Sequence, residues 1–114
     1  MPRDLFAGIP VGAYARALPW YEALLGTAPS FTPHATEAVW ELAENRYLYI
    51  VEKPEHAGHG LVMFFVDDLD AYVAHIAARG LHPVAEETYD GGVRKVTFAD
   101  ADGNEISFGG APGP

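Results

Sequence analysis

Leu5–Val11 (LFAGIPV) and Leu61–Val66 (LVMFFV) are short apolar runs, each followed by a helix-patterned stretch that stops at a glycine, Gly26 or Gly80. Beyond each helix come three short β-like segments closed by an apolar run: Tyr47–Val51 (YLYIV) in the first half, Glu105–Phe108 (EISF) in the second. Such self-similarity marks a repeated supersecondary unit, since one copy alone cannot bury its apolar face. The fold expected is therefore α+β: two βαβββ modules, 5–53 and 61–109, joined by a linker at 54–60. Their mixed sheets curl into a U-shaped cup with helices on the outer faces. The glycine- and proline-rich end (GGAPGP, from Gly109) is expected to be disordered, with 110–114 as the tail outside the domain.

Within Ala13–Leu25, Tyr14, Leu18, Tyr21 and Leu25 recur three or four residues apart and define one helix face. Pro19 lies inside this pattern and lacks a backbone donor, so the helix should start late, kink or split there. In the second helix the buried face is Leu69, Tyr72, Val73, Ile76 and Ala77, with Asp67 or Asp68 as N-cap and Gly80 as stop. Ala38–Ala43 and Arg46–Lys53 read as a hairpin around Glu44-Asn45, and Gly92–Ala99 and Asn104–Phe108 as another.

A length of 114 residues supports one domain with a real core. No apolar run is long enough to span a membrane. The opening Met1-Pro2-Arg3-Asp4 lacks a secretory pattern, so cytoplasmic residence is the expectation. The chain has no cysteine, which excludes disulfides and thiolate chemistry. Sixteen acidic residues against seven basic ones give a net charge of −9, which argues against nucleic-acid binding and favours approach of a cationic ligand.

Three segments carry a resemblance to a known family. They are Trp20-Tyr21-Glu22-Ala23-Leu24-Leu25-Gly26, Val66-Asp67-Asp68-Leu69-Asp70, and Phe98-Ala99-Asp100-Ala101-Asp102-Gly103-Asn104. In this order they resemble the vicinal oxygen chelate superfamily: glyoxalase I, extradiol dioxygenases, and the bleomycin- and fosfomycin-resistance proteins. The last matches the family's F-x-D-P-D-G-N hairpin with Ala101 in place of proline. The resemblance implies a glyoxalase/bleomycin resistance-like fold, and commonly a homodimer. In the family's metalloenzymes it also implies four inward side chains, usually histidine and glutamate, around a divalent metal. Carried onto this chain, those positions fall on Phe6, Tyr49, Leu61 and Ser107. None supplies the imidazole or carboxylate such sites use, so neither metal nor other cofactor is expected.

Strand alternation indicates what lines the cup instead. Phe6, Gly8 and Pro10 share one face of the first strand, while Ala7, Ile9 and Val11 pack beneath the helices. Leu61, Met63 and Phe65 face the cup, as do Tyr47, Tyr49 and Val51. With a two-residue turn at Glu44-Asn45, Trp40 pairs with Tyr49 and points the same way. The ligand-binding set expected is Phe6, Trp40, Tyr47, Tyr49, Leu61, Met63 and Ser107. It suits a flat hydrophobic or aromatic ligand.

Other reactive residue types fit bland roles better. His56 and His59 form an H-x-x-H in a loop with two glycines, where nothing holds them in ligating geometry. His34, His75 and His82 read as surface or structural histidines. Glu41 and Glu52 lack a fixed separation for acid–base work, and Asp100 and Asp102 lack calcium-loop spacing. The function expected is metal-independent binding of a small molecule, an aromatic or cationic drug or metabolite, resembling the bleomycin-resistance branch. The alternative is a lyase, isomerase or dioxygenase with a displaced or absent metal site.

Overall fold

The computed structural model describes residues 1–112. The chain runs through β1 (Leu5–Val11), α1 (Tyr14–Leu25), β2 (Phe31–His34), β3 (Glu37–Ala43), β4 (Arg46–Glu52), β5 (Leu61–Phe65), α2 (Leu69–Ala78), β6 (Ala85–Thr88), β7 (Arg94–Ala99) and β8 (Glu105–Gly110). Each module makes its own four-stranded sheet, ordered β1-β4-β3-β2 and β5-β8-β7-β6. In each, the first strand lies parallel to the last and the others pair antiparallel. A parallel pair cannot close through a tight turn, so each module places its helix between these two strands in sequence.

Alternation sorts the residues by face. Ile9, Val11, Leu48 and Ile50 of the first sheet and Val96, Phe98, Ile106 and Phe108 of the second are buried in one core shared with Tyr21, Leu24, Leu69 and Ile76 of the helices. Burial of such side chains contributes about 1.5–3 kcal/mol each, and the cluster spans both modules.

The helices are capped by different means. Asp68 caps α2, accepting from the Ala71 N–H at 3.1 Å. No side chain at Ala13 caps α1; instead Glu52, distant in sequence, accepts from the Tyr14 N–H at 3.0 Å. Gly26 ends α1 in the left-handed region (φ 79°), donating to the Glu22 carbonyl. The helix neither starts late nor splits at Pro19, contrary to expectation. Ala15, whose carbonyl loses its donor there, is exposed, as is Pro19, so water can take its place.

Two further expectations are corrected. Trp40 does not pair with Tyr49. The β3–β4 turn has a positive φ only at Asn45, and the register shifts between Glu41 and Ala43, leaving Leu42 without a partner. That bulge sets Val39 opposite Tyr49 and Trp40 opposite Leu48. A one-residue slip reverses every side chain beyond it, so Trp40 lies 1% exposed in the core. The end of the chain is also more ordered than its composition suggests. Gly109 and Gly110 belong to β8, opposite Lys95 and Arg94, and both are buried. Of the expected tail, Gly113 and Pro114 lie outside the described residues.

Candidate functional site

The seam between modules is closed at one end by the Asp100–Asn104 hairpin turn. Asp100 sits 8% exposed and accepts from the backbone N–H groups of Asp102 and Asn104, the Asn104 side chain and the Tyr21 hydroxyl, the last at 2.7 Å. Asp102 accepts from the Gly12 N–H at 2.9 Å and pairs with Arg16. Asn104 donates to the Pro10 carbonyl, and its amide oxygen receives the N–H groups of Gly58 and Gly60. Burial, then the Asp100 hydrogen bond, hold the Tyr21 hydroxyl well above the ordinary phenol range, so it stays a donor. Every polar group here is engaged. It holds the modules together and leaves no reactive group free.

The other end opens as a cleft of about 600 Å³ between the modules. Its walls come from Leu5 and Ala7 of β1, Leu24 and Leu25 of α1, Trp40 and Leu42 of β3, residues 62–66 around β5, and Tyr72 of α2 with Phe108 behind it. Trp40 donates its indole N–H to the Thr27 carbonyl at 3.0 Å, which leaves the rings as apolar wall. Leu5, Leu42 and Tyr72 stay exposed around the opening. The charged lining residues are Glu41, Arg46 and Arg79.

Among the seven residues expected to bind ligand, Trp40, Tyr47 and Met63 line this cleft. Phe6 stands beside it, stacked on Tyr47 with ring centroids 4.3 Å apart and planes 7° from parallel. Tyr47 donates to Glu41 at 3.2 Å; partial desolvation and then that carboxylate raise its pKa. Tyr49, Leu61 and Ser107 do not line the cleft. Tyr49 lies across Gly8, where any β-carbon would strike its ring. Leu61 is exposed, and Ser107 is buried with its hydroxyl bonded to Thr97 at 2.8 Å. The expected single lining is thus divided between a cleft and two open sheet faces. Leu24, Phe64, Tyr72 and Phe108 were absent from the sequence-based set because only tertiary packing brings them to the seam.

The donor set does not fit the family's metal. The four corresponding positions carry Phe6, Tyr49, Leu61 and Ser107, and among the described residues no three His, Asp or Glu side chains cluster to hold an ion. Glu105 shares a sheet face with Ser107, but its neighbour across β5 is Leu61. His56 and His59 are exposed, and His34 pairs with Glu37. Glu52 caps α1 and Glu41 holds Tyr47, so they form no acid–base pair.

Comparison with known proteins places this geometry. Residues 5–108 match the family model described as the Glyoxalase/Bleomycin resistance protein/Dioxygenase superfamily. A glyoxalase/bleomycin resistance protein from Catenulispora acidiphila DSM 44928 is 54% identical in sequence, with a TM-score of 0.94, over 97% of this chain and 100% of that one. Two further solved structures share the fold at low identity. A bleomycin-binding protein complexed with bleomycin has a TM-score of 0.74 at 18% identity, covering 96% of this chain and 98% of its own. A lactoylglutathione lyase from Agrobacterium tumefaciens has a TM-score of 0.77 at 16% identity, covering 96% and 95%. No curated protein matches the sequence. The chain belongs to the glyoxalase/bleomycin resistance protein/dioxygenase superfamily.

Proposed function

We propose that this protein binds a small, largely apolar molecule in the inter-module cleft without a metal, in the manner of a sequestering protein rather than an enzyme. The carrying observation is the cleft itself. Its volume, about 600 Å³, is within the range of drug-sized ligands, and its walls are aliphatic and aromatic. Sequestration needs shape and apolar area but no reactive group, which is what these residues offer. Tyr47 and Met63 are the contacting residues, Trp40 is buried wall at 1% exposure, and Phe6 holds Tyr47 in place by stacking. A thermal-shift screen with aromatic and glycopeptide antibiotics tests the reading. At least one compound should raise the melting temperature, and Tyr47→Ala should weaken its binding by about 1–3 kcal/mol. Stabilisation by none of them would count against the proposal.

A second copy of the chain completes the molecule in this reading. Leu61, Met63 and Phe65 alternate along an edge strand and are 79%, 50% and 63% exposed, and Phe6 adds to the open apolar area on the other sheet. Exposed apolar faces and uncharged edges of this kind mark association surfaces. Light scattering should give the dimer mass at micromolar concentration. The Leu61→Asp/Phe65→Asp double variant should give a folded monomer, whereas a wild-type monomer would refute dimerisation.

A further inference from the structure

We infer that the cleft selects an apolar ligand with an anionic end, and that Arg46 makes the selection. The inference rests on the binding role proposed above and assigns its ligand class. Overall charge points the other way, since the chain has sixteen acids and seven bases. The cleft inverts that ratio: two arginines line it against one carboxylate, Glu41.

The local bonding sharpens the contrast. Glu41 is occupied by the Tyr47 hydroxyl at 3.2 Å. Arg79 donates to the Ala23 and Leu24 carbonyls at the C-terminal end of α1, so that helix end and the cation partly compensate each other. A guanidinium has five N–H groups, and these two contacts leave others for a ligand. Arg46 makes no ion pair among the described residues. Asp4 and Glu44 lie near it in a shallow hollow behind the cleft, and Asp4 is already paired with Arg3 at 3.1 Å. Arg79 is thus tied to the end of α1 by two carbonyls. Among the described residues Arg46, with Glu44 as the carboxylate left unpaired in its hollow, is the lining cation with no such backbone tie, beside walls that accept rings or alkyl chains. Its fork geometry matches a carboxylate or another oxyanion.

A matched series on one ring system tests this: 2-naphthylacetate, 2-(2-naphthyl)ethanol and 2-(2-naphthyl)ethylammonium, titrated calorimetrically into the wild-type chain and into Arg46→Glu. The acid should bind about tenfold tighter than the ammonium, with the alcohol between, as one charge-assisted contact would give. Arg46→Glu, at an exposed position, should reverse the order of the two ions, with the alcohol still between them. Equal binding of all three would overturn the anion preference and leave the apolar reading standing. A preference for the acid that survives Arg46→Glu would overturn the assignment to Arg46. Binding of none would overturn both the preference and the cleft reading.

Discussion

Along β1 the seam between modules has two ends of opposite character. Near Pro10 it is bridged by hydrogen bonds, with Asp100, Asp102 and Asn104 reaching across to β1, the Gly12 turn, α1 and the linker. Near Leu5 it is open and largely apolar, and among the described residues the cross-module hydrogen bonds there run from Arg79 to the Ala23 and Leu24 carbonyls of α1. A buried polar network holds only one geometry, because each lost partner leaves a desolvated group behind. Apolar walls accept many shapes. A protein that binds a ligand by packing benefits from having the rigid end fix the walls, so that the open end needs little bonding of its own.

The largest test of this contrast removes the carboxylate at the rigid end. Asp100→Ala strands the backbone N–H groups of Asp102 and Asn104, the Asn104 amide and the Tyr21 hydroxyl, and should cost about 3 kcal/mol, read as a lowered urea midpoint. Loss of less than about 1 kcal/mol would mean that the shared core alone orients the modules. Tyr21→Phe is smaller, about 1 kcal/mol, since it removes one donor and keeps the ring. It also carries a pH signature. The hydroxyl's pKa is raised in the folded chain above its ordinary 10.0, so its contribution is present below pH 10 and lost as pH rises further. The wild-type advantage over Tyr21→Phe should shrink above about pH 10; an advantage flat with pH would contradict the assignment. Smallest of the three, Leu5→Ala at the open end should change stability by about 0.5 kcal/mol or less, because Leu5 is 66% exposed. A cost near 2 kcal/mol would show that the cleft is closed in solution.

The repeat made the two modules, both helices and the separation of Ile9 and Val11 from Phe6 and Gly8 legible before any coordinates, since periodicity encodes them directly. The face of Trp40 was not legible. A bulge inserts one residue without any change in composition, and the pattern around Leu42 reads equally well in either register. Gly109 and Gly110 misled in the opposite sense. They looked like a breaker, yet Met63 packs where a β-carbon would stand on Gly109, and Leu69 does the same at Gly110. The turn at Asp100 was recognisable, but its contacts with Tyr21 and Gly12 join residues about 80–90 positions apart. Arg46 carried no mark in sequence, because its importance comes from a cleft made by both modules.

The pinned linker has a consequence for connectivity. Gly58 and Gly60 are fastened to Asn104 of the second module, while Pro54–His56 just before them forms an exposed single turn. The peptide bonds of that turn contribute little to cohesion, which comes from the common core and the Asp100 turn. In topological terms the molecule is two separately built sheets joined by one linker. Opening the backbone at Glu55-His56 would convert one protein into a self-assembling pair, with its seam and cleft still defined by the same contacts.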